Sequence, residues 1–355
     1  MDSLTQFVLG STVSVLCLGK TLGPRKAALL GGVLGTMPDL DVLITFDSPV
    51  DAFVMHRGWT HSLFVHAAIA PFLGELLMRV FKSLQDHRVT VWWTVFLCFS
   101  THALIDAMTV YGTRLFWPIY RDPVGVGSIF IIDPLYTLPL LGVTIWAIFR
   151  REWSSGLARG VTAAMIFSTA YLGLGAVLQS QAENRAKVIF ARAGVATDSV
   201  FAIAAPFNIV LWKVIGLEQG QYHNIYLSLF DDDQTARVYT HPRHPELIAC
   251  LENVDAFQKL AWFSRGYYRA EQQGDEVIVS DLRMGLTPRY AFRFAVAQAM
   301  GHGLREVPPE TASDQPRAAE GDLDWLAERV RGRPAVRQAE ISEADAIEPA
   351  DHAMC

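Results

Sequence analysis

Long apolar runs separated by short polar breaks fill the first half of the chain, and the rhythm stops in the second half. Residues 160–182 run 23 positions without a charge, more than the roughly 20 residues a helix needs to cross a bilayer. Five apolar runs precede it: 3–19; 27–46, broken by Pro38, Asp39 and Asp41; 60–80, with His61, His66, Glu75 and Arg79; 89–112, with His102 and Asp106; and 130–149, with Asp133. The pattern predicts a mainly α fold whose residues 1–182 form a polytopic helical membrane domain of about six spans. Run 27–46 can also be read as a short or re-entrant segment. The first run has no basic leader and no small-residue cleavage site, so it is expected to be a retained span.

After residue 182 the pattern is that of a soluble protein. Stretches 200–204, 208–215, 222–230 and 276–281 are β-branched and aromatic with turn residues between them, and read as strands; 245–260 reads as a helix with Pro245 in its first turn. Residues 183–310 are therefore expected to form a small exported α+β domain. Residues 311–355 carry ten acids and five arginines with few apolar anchors, which predicts an acidic, disordered tail apart from a short helix near 322–331.

Composition sharpens the division. The chain is 51% hydrophobic and 19% charged, and 23 of its Asp, Glu, Lys and Arg residues fall in 1–180 against 43 in 181–355. This excludes a simple cytosolic enzyme. A net charge of −6 leaves no basic footprint for nucleic acid, and the expected partner is the lipid bilayer. Cys17, Cys98, Cys250 and Cys355 are scattered, and their spacing indicates neither a disulfide framework nor a cysteine zinc site. Lys20, Arg25 and Lys26, then Arg79, Lys82 and Arg88, then Arg150, Arg151 and Arg159 fall in alternate loops, whereas the opposite loops carry Arg57, Arg114 and Arg121. Cytoplasmic loops retain Lys and Arg, so the N-terminus and the second half are expected outside the cytoplasm. In a bacterium that is the periplasmic face of a multi-pass inner-membrane protein.

With that orientation Asp39, Asp41, His56, His61, His102, Asp106 and Asp133 fall at one membrane boundary, and ionisable residues at such depth are usually functional. His102 and Asp106 are spaced i,i+4, which puts an imidazole and a carboxylate on one helix face. Asp39 and Asp41 follow a helix-breaking proline, and His56 and His61 flank Gly58. Nitrogen and carboxylate donors together suit zinc, manganese or iron better than magnesium. Such an ion activates water for hydrolysis. His66 reads as a packing histidine, Thr60 as a helix cap, and Arg57 as a contact for a substrate anion or a lipid headgroup. His241 and His244 read as loop residues, and Asp231, Asp232 and Asp233 lack the glycine and distal glutamate of a calcium loop.

Several segments together resemble the YdjM/YbcI-type membrane-bound metal-dependent hydrolases of the bacterial inner membrane: Met1-Asp2-Ser3-Leu4-Thr5-Gln6, Gly35-Thr36-Met37-Pro38-Asp39-Leu40-Asp41, His56-Arg57-Gly58-Trp59-Thr60-His61-Ser62 and Thr101-His102-Ala103-Leu104-Ile105-Asp106, with Asp281-Leu282-Arg283-Met284-Gly285 further on. The resemblance implies metal or catalytic roles for Asp39, Asp41, His56, His61, His102 and Asp106. The His-x-x-x-Asp element is also distantly similar to that of zinc-dependent phospholipases C and single-strand nucleases, which implies phosphoester hydrolysis. Where many members have Thr-His, this chain has Thr5-Gln6, and glutamine is a poorer ligand. The expected function is a membrane hydrolase of lipid-like or membrane-accessible esters, phosphoesters first, holding a divalent metal, zinc first and then manganese or iron, with Asp39, Asp41 and His61 catalytic. The alternative is a non-enzymatic transporter or scaffold using the same polar residues as an ion path or as structure.

Overall fold

The computed structural model describes residues 1–300, 303–312, 316 and 318–345. They form two compact units that interleave along the chain. The first comprises Met1–Ile44, His56–Val177 and Pro206–Asn208; the second comprises Thr45–Met55, Leu178–Ala205 and the chain from Ile209 onward.

Helices α1 (Ser3–Leu22) and α2 (Pro24–Thr36) open the first unit. Asp2 caps α1 by accepting from the Thr5 amide, and Pro24 takes the first position of α2, where its missing N–H is no loss. Proline at 38 ends α2, and a 3-10 turn, Met37–Leu43, carries the chain on. Helix α3 (Pro49–Met55) belongs to the second unit. The first resumes with a 3-10 turn at Trp59–His61, then α4 (Leu63–Val80), α5 (Arg88–Met108) and α6 (Pro134–Ile148). Ser62, not Thr60 as the sequence pattern predicts, caps α4. Helix α7 (Ser155–Arg192) passes from the first unit to the second after Val177. Helix α1 is the hub, packing on α2, α5 and α6. It meets α2 at Gly10, Gly31 and Gly35, so closely that a Cβ on Gly10 or Gly31 would overlap the other's carbonyl oxygen.

Among the described residues three helical stretches are long and apolar enough to cross a membrane: α4, Lys82–Met108, in which a 3-10 turn runs into α5, and α7. Six spans are therefore not observed. At 1.5 Å per residue α2 and α6 are only about 20 and 22 Å long, short of a hydrocarbon core of about 30 Å. Helix α1 has the length, but it buries Thr5, Gln6, Ser11, Thr12 and Ser14 against its neighbours, as an interior helix does. The outward faces of α4 and α7 carry exposed Phe72, Leu76 and Val80, and Ile166, Phe167 and Leu174. Exposed apolar side chains of this kind suit a face turned to lipid. One apolar cluster joins the end of α1 to the start of α2, the end of α4 to the start of α5, and the end of α6 to the start of α7, so the three basic loops share one end of this unit.

In the second unit β1 (Ser199–Ala204), β2 (Leu211–Leu217), β3 (Gln221–Ser228) and β4 (Tyr239–Pro242) form an antiparallel meander. Helices α8 (Pro245–Leu251) and α9 (Asp255–Phe263) follow, because the predicted helix 245–260 breaks where Val254 turns extended. A second antiparallel sheet contains β5 (Tyr268–Gln273), β6 (Glu276–Asp281), β9 (Arg293–Ala299) and β10 (Leu304–Thr311) in the order β10-β9-β6-β5, with β7 (Gly285–Leu286) and β8 (Arg289–Tyr290) as a small hairpin. Helix α3 is part of this core: Phe53 packs on Phe263, Phe292 and Phe294 at 4.8, 4.5 and 5.3 Å between ring centres, and Asp51 pairs with Lys259 at 2.6 Å. The second unit therefore starts well before residue 183, with a segment the hydropathy pattern reads as a loop between two spans.

The short helix expected near 322–331 is α10 (Asp322–Val330), and the expectation of disorder around it is corrected over the rest of residues 318–345, which carry α11 (Gln338–Asp345). Trp325, Arg329, Arg337 and Glu340 are buried there, so docking supplies the order that composition alone does not predict. The rest of the expected tail lies outside the described residues. Cys17 and Cys98 are free.

Candidate metal centre

Three chain segments build the site. The 3-10 turn after α2 supplies Asp39 and Asp41, the residues before α4 supply His56 and His61, and the last turns of α5 supply His102 and Asp106. Asp39, His61, His102 and Asp106 come together as one group able to hold a metal ion, and Asp39, Asp41 and His56 as a second that shares Asp39.

In the first group the donor atoms are regularly spaced. His61 Nε2 and His102 Nε2 are 3.1 Å apart. Asp39 Oδ1 lies 3.3 Å from each of them, and Asp106 Oδ2 lies 3.4 and 3.5 Å from them. Four donors placed tetrahedrally around an ion at about 2.0–2.1 Å stand about 3.3–3.4 Å apart. An octahedral shell at that radius would bring neighbouring donors to about 3.0 Å, and calcium's longer bonds spread them further. The five separations thus fit a small tetrahedral ion.

The hydrogen bonds around the cluster leave acceptors facing its centre. His102 Nδ1 donates to the Gly35 carbonyl at 2.6 Å, which directs the Nε2 lone pair inward. Thr60 Oγ1 donates to Asp41 Oδ2 at 3.0 Å and so accepts from His61 Nδ1 at 2.9 Å, which does the same for His61. Asp39 Oδ1 and Asp106 Oδ2 are buried without a hydrogen-bond partner among the described residues. Two imidazole Nε2 atoms and two carboxylate oxygens converge, with Arg57 Nε beside Asp106 Oδ2 at 3.1 Å, and a cation satisfies such a set when both Nε2 atoms are unprotonated. His61, His102 and Asp106 are fully buried, whereas Asp39 remains partly open.

Asp41 is occupied differently. It accepts from His56 Nδ1 at 2.8 Å, from the Arg57 amide at 2.9 Å and from Thr60, while also orienting His61 through Thr60. His56 is thereby held by a carboxylate at one nitrogen, with its ring edge-on to Tyr111 and still partly exposed. Arg57, at a left-handed φ of 59°, is buried over the Tyr111 ring, with Nε 3.1 Å from Asp106 Oδ2. Gln6 Nε2 donates to Asp106 Oδ1 at 2.8 Å, and the Met1 amino group pairs with the same oxygen. Position 6, where the family resemblance raised the question of a ligand, thus supports a ligand instead.

Other sequence candidates lie elsewhere. Asp133 caps α6 through the Leu135 and Tyr136 amides and accepts from Tyr171 at 2.9 Å. His66 bonds the Thr60 carbonyl at 2.8 Å, as a packing histidine. His241 is not a loop residue but a buried member of β4, bonded to Glu340. Asp231 and Asp233 pair with Arg329 and Arg185. Asp281 and Arg283 form a buried salt bridge. The parts that sequence reasoning missed are Gly35 and Gln6 as supports of the ligands. A Gly31-x-x-x-Gly35 spacing was the visible signal for the close helix approach that brings the Gly35 carbonyl into place.

Comparison with curated proteins and with solved structures gives no match. Residues 1–182 match the family model described as YdjM inner membrane protein, and the chain belongs to that family.

Proposed function

We propose that this protein is a multi-pass inner-membrane hydrolase that holds one zinc ion on Asp39, His61, His102 and Asp106 and acts on membrane-accessible phosphoesters at the non-cytoplasmic face. The observation that carries the reading is the set of separations of 3.1–3.5 Å among four buried donor atoms, with both histidines held in the tautomer that presents Nε2. Zinc is favoured over manganese or iron because the spacing is tetrahedral and the donors are mixed imidazole and carboxylate. A zinc ion in such a place lowers the pKa of bound water towards 7 and polarises a phosphoryl oxygen.

The side chains around the donors suit the reaction. Asp39, the partly open member, marks the side from which substrate arrives. His56, oriented by Asp41, presents Nε2 for proton transfer as a carboxylate-supported histidine does. Arg57 places a buried positive charge beside Asp106, where a substrate anion would need one. Apolar helices would give a lipid-like ester its access route.

A structural ion clamping the helix ends is the second reading, favoured by the number of protein donors: four close a zinc shell, whereas catalytic sites commonly use three. One experiment tests both. Metal content is measured for purified wild type, His61→Ala and Asp106→Asn, and each is assayed on phosphomonoesters, phosphodiesters and carboxylesters. About one zinc per chain, lost with ester turnover in both folded variants, is the expected result. Zinc without turnover of any ester leaves the clamp, and a metal-free, folded wild type overturns both.

A further inference from the structure

A second cluster of buried polar side chains lies in the second unit, on one face of the β1–β4 meander. Alternate residues of a strand share a face, which places Tyr222, Asn224 and Tyr226 of β3 together. The register sets Lys213 opposite Tyr226 and His241 opposite Tyr222. All five are buried. Their polar groups converge on one carboxylate from outside the sheet, that of Glu340 in α11. Glu340 Oε1 accepts from His241 Nε2 and from Asn224 Nδ2, each at 2.8 Å, and Oε2 accepts from the Tyr226 hydroxyl at 2.8 Å and from Arg337 at 3.3 Å. A hydroxyl relay backs the site: Asn224 Nδ2 also donates to Thr287 Oγ1 at 2.8 Å, which is linked to Tyr290 at 2.7 Å and through it to Tyr222 at 2.7 Å. Lys213 adds a buried ammonium bonded to the Leu282 and Gly285 carbonyls.

The sheet face requires a carboxylate and the strands do not supply one. Among the described residues Glu340 is the one carboxylate bonded to His241, Asn224 and Tyr226, and without it their donors would be buried and unmet. Burial pulls the Lys213 ammonium down to about 8, and the Glu340 charge acts against that fall. Burial pushes the Glu340 carboxyl up, but His241, Asn224 and Lys213 outweigh it and hold the group below the ordinary glutamate range.

The segment that brings Glu340 has no fold of its own to rely on. Helices α10 and α11 have nine and eight residues, below the roughly 12–15 at which isolated helices become stable, and their composition is that of a disordered chain. The segment is organised by an internal Arg337–Asp322 pair at 2.7 Å. It is anchored by Trp325, edge-on to Tyr226 at 5.0 Å, with Leu326, Val330 and Ile341 around it. Such a segment orders as it docks and spends part of the contact energy on that order, against which stand the Arg329–Asp231 pair, the Glu343–Arg269 pair and the Arg337 bond to the Thr287 carbonyl.

We infer that this face of β2–β4 is a carboxylate-recognition site for an acidic side chain on a short amphipathic helix, and that residues 318–345 occupy it in cis as an exchangeable ligand. The site reads charge and shape together: Glu340 meets the donors, and Trp325 and Ile341 cover the surrounding apolar surface. An acidic peptide of this pattern displaces the resident segment.

The test uses the full-length protein with a specific protease site placed between residues 312 and 318, cut after folding and purification. The probe is a fluorescent synthetic peptide of residues 318–345, followed by anisotropy. Cut protein takes up the peptide saturably, uncut protein takes up little, and an E340Q peptide binds at least tenfold more weakly, the loss expected on removing charge from an acceptor of three buried donors. Failure of the cut, still folded protein to bind or exchange the peptide overturns the proposal, because the segment is then a fixed part of the fold. Equal binding of the E340Q peptide overturns it as well, because the carboxylate is then not what the site recognises.

Discussion

Thr60 donates no electrons to the candidate ion, yet it sets the chemistry of a residue that does. Its hydroxyl bridges His61 Nδ1 and Asp41 Oδ2, fixing both the tautomer and the tilt of a buried imidazole. Partners of this kind are worth about 10–100-fold in metal affinity. Thr60→Val keeps the shape and all four donors and removes the bridge. Its zinc affinity, measured by competition with a chromogenic chelator, is expected to fall by about that factor, whereas an unchanged affinity would mean that His61 is oriented by packing alone. The same residue marks how far the sequence could be read. The i,i+4 spacing of His102 and Asp106 places two donors on one face of α5 from periodicity alone, and Asp39 and Asp41 stand out because they follow Pro38. Their unlike environments were not legible: a two-residue step along a 3-10 turn sends one carboxylate to the cluster and the other to Thr60, His56 and the Arg57 amide, which depends on how the turn packs.

At the scale of elements, the centre rests on a helix crossing that only small residues permit. Gly10 of α1 meets Gly31 and Gly35 of α2 backbone to backbone, and the Gly35 carbonyl at that crossing accepts from His102. A methyl group at position 31 would push into the Gly10 carbonyl and separate the helices. Overpacking of this kind costs about 1–3 kcal/mol. Gly31→Ala is therefore expected to lower the unfolding midpoint in detergent and to weaken zinc retention in the same preparation, since it shifts the carbonyl that holds His102. Gly142 of α6, with open space where a Cβ would go, is the control: Gly142→Ala should be neutral or slightly stabilising, as alanine is in a helix. If both variants behave alike, the crossing does not support the site. Helix identity was largely legible and helix role was not. Hydropathy placed all the apolar runs, but it sees apolar content and not whether a face meets lipid or another helix. It missed α11 for the converse reason, since a carboxylate buried against His241 and Asn224 looks, in sequence, like one more acid in a solvated tail.

For the whole molecule, sidedness follows from charge, and the structure sharpens the count. Three arginines stand against nine basic residues in the opposite loops. Arg57 is buried against Asp106 and Arg114 is also buried, which leaves Arg121 as the exposed cation of that group. The nine belong to the loops gathered at one end of the helical unit by the apolar cluster that joins α1, α2, α4, α5, α6 and α7. The cluster of Asp39, His61, His102 and Asp106 forms instead where α2 and α5 end and α4 begins. Because Lys and Arg are retained on the cytoplasmic side, the basic end is expected inside and the candidate metal centre outside. Single cysteines read this directly, with the parent chain as background: Lys82→Cys at the basic end, Leu43→Cys in the exposed part of the turn after Asp41, and Glu276→Cys in the second unit. A membrane-impermeant maleimide applied to intact cells should label positions 43 and 276 and spare 82, and inverted vesicles should give the reverse. Labelling of 82 from outside would invert the topology, and with it the expectation that substrate reaches Asp39 from the non-cytoplasmic leaflet. Labelling of 43 and 276 from opposite sides would place both ends of α7 on the side of the basic loops, so that this helix, for all its 38 residues, would not cross.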